Sequence, residues 1–127
     1  QIKENNHNFK SITAIEFDEI EAEKADKIQI RNKLVFNTDF HLYCNETTRR
    51  FDLVVGNPPY IRYQYFQEKQ QNEAIKVFNR AKLKYSKLTN AWVSFVVGSS
   101  LLLKEKGEIG FVILAELLQV SYAQQLR

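Results

Sequence analysis

The stretch "FDLVVGNPPYI", residues 51–61, places the chain's two prolines, Pro58 and Pro59, directly after an apolar run. The mostly apolar residues 51–55 are typical of a buried strand. Proline has no N–H group and a fixed φ, so two in succession oppose the continuation of either a strand or a helix. The sequence therefore predicts a strand that ends in a stiff loop, Asn-Pro-Pro-Tyr, at residues 57–60.

The chemistry of this loop suits the binding of a flat amine. A residue that precedes a proline favours an extended conformation, so Asn57 and Pro58 are expected to hold their carbonyl groups in fixed directions. The side-chain oxygen of Asn57 and the main-chain oxygen of Pro58 can then accept the two hydrogens of an –NH2 group. Tyr60 offers a ring face on which a flat heterocycle can stack.

Strand-like and helix-like segments alternate along the rest of the chain. Apolar runs predict strands at residues 11–18, 33–40, 51–55 and 108–114, and helical spacing predicts helices at 18–31, 66–84 and 90–105, with another beginning at 115. Asp18 and Glu21 resemble a capping pair for the first helix, and Gly107 is expected to end the third. The alternation predicts an α/β fold with a parallel sheet and helices on both faces.

Polar side chains occupy the carboxyl ends of three predicted strands. Glu16, Asp39 and Asn57 each stand at or near such an end. In open parallel sheets, ligands bind at the carboxyl ends of the strands. The three residues are therefore candidates for one binding crevice.

The segment 61–90 is basic and aromatic. It carries seven lysines and arginines against two glutamates, a net charge of +5 in a chain of net charge +3, and its rings are Tyr63, Tyr65, Phe66, Phe78 and Tyr85. Cations that neutralise phosphates and rings that stack on bases are typical of nucleic-acid surfaces. The alternative is an amphipathic helix with a solvated lysine face and an aromatic core face, which is the usual meaning of a charge run.

Composition narrows the class of protein. The 127 residues allow one domain at most, and 44% hydrophobic with 26% charged residues is ordinary for a globular protein. No apolar run reaches the roughly 18 residues of a membrane-spanning helix, so no membrane partner is predicted. Cys44 is the single cysteine, which favours a reducing compartment. With His7 and His41 it forms no zinc-binding spacing, and no metal is predicted.

The loop resembles the catalytic loop of amino-methyltransferases that use S-adenosylmethionine, whose signature is (Asn/Asp/Ser)-Pro-Pro-(Tyr/Phe/Trp). Its setting after "FDLVVG" is most similar to gamma-class adenine DNA methyltransferases of restriction–modification systems, including fused endonuclease–methylase proteins. The resemblance implies a Rossmann-like α/β fold and a bacterial cytoplasmic enzyme. It also implies methyl transfer to the exocyclic amine of a flipped adenine, with Asn57, Pro58 and Tyr60 as catalytic residues and DNA facing residues 61–90.

Two further motifs extend the resemblance to the cofactor. "AIEFD" is similar to the family's acidic strand end, which implies that Glu16 binds the ribose hydroxyls of S-adenosylmethionine and Phe17 lies along its adenine. "NTDF" is similar to the next motif, which implies that Asp39 accepts from the adenine amino group and Phe40 packs near the ring. Residues 88–114 are similar to the helix–strand pair that follows the catalytic loop.

The family's glycine-rich cofactor loop has no counterpart among the four glycines of the chain. The resemblance therefore implies that residues 1–127 are an internal fragment of one catalytic domain, without the first strand, the later strands or a target-recognition domain. Such a fragment is expected to be inactive and to bind the cofactor poorly. Its sheet would pair strands 11–18 and 51–55 directly or borrow a strand from a second copy, which would make a homo-oligomer. Leu114 stands where related proteins often carry proline.

Three alternatives remain open at this point. Protein glutamine methyltransferases that act on release factors share Asn-Pro-Pro-Tyr, although they usually carry an acidic, proline-containing stretch after the loop. Ribosomal RNA methyltransferases are a weaker alternative. A non-catalytic nucleic-acid-binding domain with the same fold is the third, but it would be expected to lose Asn57 or Tyr60, and both are present.

Overall fold

A computed structural model of the chain describes residues 9–113. These residues form two compact units, divided between Phe40 and His41. The first contains one helix and the second three, and each contains a pair of parallel strands. The predicted α/β class and the predicted parallel pairing are thus confirmed for each unit.

The first unit is a strand–helix–strand motif. Strand β1 (Ile12–Glu16) is followed by helix α1 (Glu19–Lys27) and strand β2 (Lys33–Asn37). The two strands are parallel and in register from Ile12 opposite Lys33 to Glu16 opposite Asn37. Their carboxyl ends therefore lie side by side.

Helix α1 shows the predicted N-terminal cap. The Asp18 carboxylate accepts a hydrogen bond from the main-chain N–H of Glu21 at 2.9 Å. The helix ends at Lys27, earlier than the predicted residue 31, because Ile28 is extended. The Lys33 ammonium group of β2 then donates to three carbonyl oxygens at the end of the helix, those of Ala25, Asp26 and Ile28. A cation at a helix C-terminus satisfies carbonyls that lack helical partners.

The second unit is built around helix α4. Its elements are α2 (Phe40–Glu46), β3 (Phe51–Gly56), a 3₁₀ turn (Tyr63–Tyr65), α3 (Glu68–Arg80), α4 (Trp92–Leu102) and β4 (Leu103–Phe111). Helix α4 is buried nearly all round, packs on α3 and contacts both β3 and β4. A helix that is apolar on every side is expected in the middle of a core.

Two further predicted ends, one of a strand and one of a helix, are wrong. The strand predicted at 33–40 ends at Asn37, because Phe40 already begins α2, which the sequence did not predict. The helix predicted at 66–84 is α3, which ends at Arg80 in a Schellman turn: Lys82 has φ 58° and the N–H of Leu83 donates to the carbonyl of Phe78 at 3.0 Å. Lysine occupies the left-handed position that glycine usually takes, so no sequence signal marked this end.

Gly107 does not end α4. The helix stops at Leu102 and β4 begins at the next residue. Leu103 pairs with Phe51, whereas Leu53 pairs with Glu108, so the residues between Leu103 and Glu108 form an irregular bulge. The regular part of β4 starts at Glu108, as predicted, and ends at Phe111 rather than at residue 114.

The described residues do not test several of the expectations, which therefore stay predictions. Leu114 and the helix predicted from residue 115 lie outside them. Within residues 9–113, β1 pairs with β2 and β3 with β4. Direct pairing of β1 with β3, or with a strand of a second copy, stays a prediction. A single sheet with helices on both faces stays a prediction. In this part of the chain no helix has the length and apolar character needed to cross a membrane.

Most rings of the basic segment belong to the core of the second unit. Tyr63 and Phe78 are at most 1% exposed, and both pack against Tyr85, with ring centroids 5.0 Å and 5.7 Å away. Tyr65 differs, because 72% of it is exposed. The core-face interpretation of the aromatics is therefore confirmed for these rings, with Tyr65 as the exception.

Phe78→Ala should lower the free energy of unfolding by about 3–5 kcal/mol, since it leaves a cavity among closely packed rings. The matched control is Tyr65→Ala, which removes an exposed ring and should change the free energy of unfolding by less than about 0.5 kcal/mol. Urea denaturation of both variants measures the difference. Equal costs for the two substitutions would contradict this core.

Candidate active site

The Asn-Pro-Pro-Tyr loop begins where the β3–β4 ladder ends. Gly56, the last residue of β3, pairs with Phe111, and its carbonyl accepts from the N–H of Val112 at 3.2 Å. A Cβ atom at position 56 would lie 3.1 Å from the Phe111 ring, closer than ordinary van der Waals contact. Glycine thus allows the strand end to lie directly on this ring, and the ladder fixes where the loop starts.

Within the loop, Tyr60 holds the Asn57 side chain. The Tyr60 hydroxyl lies 3.0 Å from Asn57 Oδ1 and also contacts the main-chain oxygen of Val112. A phenol has one hydrogen, so it donates to these two acceptors in turn. An amide oxygen has two lone pairs, so Asn57 Oδ1 keeps a further acceptor site. Asn57 is exposed, Tyr60 is half-buried and Pro58 is buried.

The chain that leaves the loop is anchored as well. The N–H of Ala91 donates to the carbonyl of Ile61 at 2.6 Å, and the N–H of Tyr63 donates to the carbonyl of Thr89 at 3.3 Å. Arg62 and Asn90 form the antiparallel bridge between these two bonds. The loop is therefore fixed on one side by β4 and on the other by the residues that precede α4.

In the first unit, the carboxyl end of β1 is held by Asn37 of β2. The Asn37 amide donates to the carbonyls of Glu16 and Phe17 at 2.9 Å and 3.0 Å. The Glu16 carboxylate accepts from the N–H of Asp18 at 3.0 Å, which orients it beyond the strand end. Phe17 is 57% exposed. The arrangement presents a carboxylate and an open ring face, which suit a polar ribose and a flat base.

Asp39 and Phe40 follow β2 by two and three residues, and both are half-buried. Because β1 and β2 are parallel with Glu16 opposite Asn37, Asp39 comes after the same edge of the strand pair as Glu16. Glu16 is the last residue of β1 and Asp39 comes two residues after β2, so both acidic residues are at the carboxyl ends of this strand pair. Their roles toward a cofactor stay predictions.

The predicted site residues thus form two groups. One unit holds Asn57, Pro58 and Tyr60 in one loop, and the other holds Glu16, Phe17 and the Asp39–Phe40 pair beyond one strand edge. Sequence reasoning missed Asn37, although an amide at a strand end beside an acidic motif was a usable signal. It also missed Val112, which contacts the loop through main-chain atoms, so that its residue type gives no signal of this role.

The charges of segment 61–90 point to solvent. All its lysines and arginines are exposed: Arg62, Lys69, Lys76, Arg80, Lys82, Lys84 and Lys87. Lys76 pairs with Glu73 at 2.8 Å, and Arg80 donates to the Cys44 carbonyl at 2.7 Å. The other five have no carboxylate partner within residues 9–113. Burial raises the pKa of Tyr63 and of Tyr85, so both phenols stay neutral.

Among the described residues, no three His, Cys, Asp or Glu side chains come together as metal ligands would. The absence of a metal in the reaction stays a prediction.

Comparison with known proteins gives one family and two relatives. The whole chain, residues 1–127, matches the family described as Eco57I restriction-modification methylase. It is 34% identical over 98 residues to the Type II methyltransferase M.BstVI of Geobacillus stearothermophilus, covering 76% of this chain and 17% of that protein. It is 27% identical over 81 residues to the Type II restriction enzyme and methyltransferase RM.Eco57I of Escherichia coli, covering 64% of this chain and 8% of that protein.

The chain therefore spans less than a fifth of the curated relatives that it matches. The family match, in contrast, extends over every residue of the chain, including the Asn57–Tyr60 loop and both acidic strand ends. On this ground the chain belongs to the Eco57I restriction-modification methylase family.

Proposed function

We propose that the full-length protein transfers a methyl group from S-adenosylmethionine to the exocyclic amine of adenine in DNA, as part of a restriction–modification system. Residues 1–127 would be part of its Rossmann-like catalytic domain. The observation that carries the proposal is the Asn57–Tyr60 hydrogen bond, 3.0 Å long, in an acceptor-rich loop at the end of a parallel strand. Membership of a restriction-modification methylase family supports DNA as the substrate.

The loop would act on the amine of a base that has been rotated out of the duplex. The base would stack on the Tyr60 ring, and Asn57 Oδ1 and the Pro58 carbonyl would accept the two amine hydrogens. An exocyclic amine conjugated with its ring is a poor nucleophile. Acceptors that favour the pyramidal amine formed during attack stabilise the transition state more than the ground state. The Tyr60 hydroxyl would keep the Asn57 amide oriented for this task.

The first unit would hold the cofactor, which supplies an electrophilic methyl group on a sulfonium centre. Glu16, fixed by the Asp18 N–H, would accept from the ribose hydroxyls, and the exposed ring of Phe17 would lie along the adenine. Asp39 would accept from the adenine amine beside Phe40. These residues fit a nucleoside because they combine oriented carboxylates with an open ring face.

DNA would bind at the exposed cations of segment 61–90. Five of them have no carboxylate partner among the described residues, so they are available to phosphates. Tyr65 and Arg62 lie just after the loop and are exposed. Phosphate binding near a catalytic loop would set the position of the duplex without reading its sequence.

Asn57→Ala should lower kcat for DNA methylation by at least about a hundredfold, since one oriented acceptor is worth on the order of 3 kcal/mol in the transition state. Asn79→Ala, which alters another exposed asparagine, is the control and should keep wild-type activity. Asn57→Asp keeps an acceptor oxygen and should retain more activity than Asn57→Ala. Full activity of Asn57→Ala in a single-turnover methylation assay would refute the proposal.

Two substitutions at Tyr60 separate its ring from its hydroxyl. Tyr60→Phe removes the hydrogen bond to Asn57 and should lower kcat by less than about tenfold, because the ring still stacks. Tyr60→Ala should cost an additional factor of roughly 5 to 150, since stacking a base on an aromatic ring contributes about 1–3 kcal/mol. Equal rates for the two variants would contradict stacking as the main role of Tyr60.

Removal of two exposed lysines should weaken DNA binding in a salt-dependent way. In the double variant Lys84→Gln/Lys87→Gln, the slope of log K against log salt should fall by about 0.9 for each phosphate that the protein no longer neutralises. Lys24→Gln, which removes an exposed lysine of α1, should leave the slope unchanged. Fluorescence anisotropy of labelled DNA measures both, and identical slopes would place the DNA elsewhere.

A further inference from the structure

A buried polar network lies behind the segment that leaves the Asn-Pro-Pro-Tyr loop. The hydroxyl of Ser94 donates to the main-chain oxygen of Ala91 at 2.8 Å, and the hydroxyl of Tyr63 donates to the same oxygen at 3.5 Å. His41 Nε2 lies 2.6 Å from Ser94 Oγ. The three side chains come from α2, the 3₁₀ turn and α4, and each is at most 1% exposed.

The directions of these hydrogen bonds follow from the donors available. Ser94 has one hydroxyl hydrogen and gives it to Ala91, so its oxygen can accept from His41 in the tautomer whose Nε2 carries the ring hydrogen. The His41 ring also packs edge-on against Phe95, with centroids 4.8 Å apart. Burial raises the pKa of Tyr63, which keeps its hydroxyl a donor. The Ala91 oxygen is thus the common acceptor of the two hydroxyls, and it also accepts from the main-chain N–H groups of Ser94 at 3.0 Å and Phe95 at 3.4 Å.

The peptide groups on either side of Ala91 connect this network to the loop. The Ala91 N–H donates to the carbonyl of Ile61 at 2.6 Å, and Ile61 directly follows Tyr60. A shift of the Ala91 backbone would thus move Ile61, and with it the ring and hydroxyl of Tyr60. Buried polar groups that are fully hydrogen-bonded favour a single arrangement of the backbone around them.

We propose that Tyr63, Ser94 and His41 are positioning residues for methyl transfer, which act through the Ala91 backbone to set the Asn-Pro-Pro-Tyr loop. This inference rests on the proposed function. None of the three belongs to the loop, and their effect is on its geometry alone. Misplacement of a reacting group by about 1 Å can cost about a hundredfold in rate.

The test compares two buried serines of the same helix in the full-length protein. Ser94→Ala removes the hydroxyl that joins His41 to Ala91. Ser99→Ala makes the same chemical change in α4, where the side chain is also fully buried but its hydroxyl has no hydrogen-bond partner among the described residues. Tyr63→Phe is a second, milder variant, because it removes only a long hydrogen bond and keeps the ring.

Two measurements are made on each variant: kcat and KM for DNA and cofactor, and hydrogen–deuterium exchange of residues 61–66. Ser94→Ala should lower kcat by about tenfold to a hundredfold, with KM values within about twofold of wild type, and should speed exchange of the Tyr63 amide. Tyr63→Phe should show a smaller change of the same kind. Ser99→Ala should match wild type in both measurements.

The outcomes separate this inference from the proposed function. Faster exchange in Ser94→Ala with an unchanged kcat would overturn the positioning role, and so would equal effects of Ser94→Ala and Ser99→Ala. If Ser94→Ala does not fold, wild-type kcat and exchange in Tyr63→Phe would overturn it. A wild-type protein that methylates no DNA would refute the proposed function, and the exchange data would then still decide whether the network holds the loop.

Discussion

The Asn-Pro-Pro-Tyr loop has few main-chain donors of its own, because Pro58 and Pro59 have no N–H groups. Its shape depends instead on the hydrogen bonds of the residues that flank it. On one side Val112 donates to Gly56, and on the other Ala91 donates to Ile61. Three elements hold the residues that make these two hydrogen bonds: the β3–β4 pair, helix α4 and the turn at Tyr63–Tyr65.

This support explains why Ser94 and His41 are buried in an otherwise apolar core. Helix α4 is apolar nearly all round, yet Ser94 is fully buried beside His41. A buried polar group costs free energy unless it is paired, and here the pairing ends on the backbone that anchors the loop. Asn57 of the same loop is exposed, and its amide oxygen keeps one acceptor site. The loop is therefore anchored at both ends and still presents an accessible acceptor group.

The sequence predicted the elements that repeat a simple physical pattern. Apolar runs located β1, β3 and the regular part of β4, and Asp18 located the start of α1. The Asn-Pro-Pro-Tyr loop and the acidic strand ends were also found from the sequence, because their chemistry lies in side chains. The family to which the chain belongs was expected from these same motifs and is confirmed by the match over residues 1–127.

The parts that were missed depend on the backbone or on distant partners. Lys82 takes a left-handed conformation at the end of α3, where a glycine would have predicted the helix end from the sequence. The boundary expected at Gly107 is wrong because an irregular bulge follows Leu103. Val112 and Ala91 act on the loop through main-chain atoms, for which residue type carries no signal. His41 and Ser94 are 53 positions apart in the chain, so no local pattern could join them.

The most direct test of the account uses the full-length protein, unmethylated DNA and S-adenosylmethionine labelled in its methyl group. After the reaction, the DNA is digested to nucleosides and the labelled nucleoside is identified. The proposed function predicts label on the exocyclic amine of adenine. Label on cytosine, or label on protein or RNA with none on DNA, would contradict it.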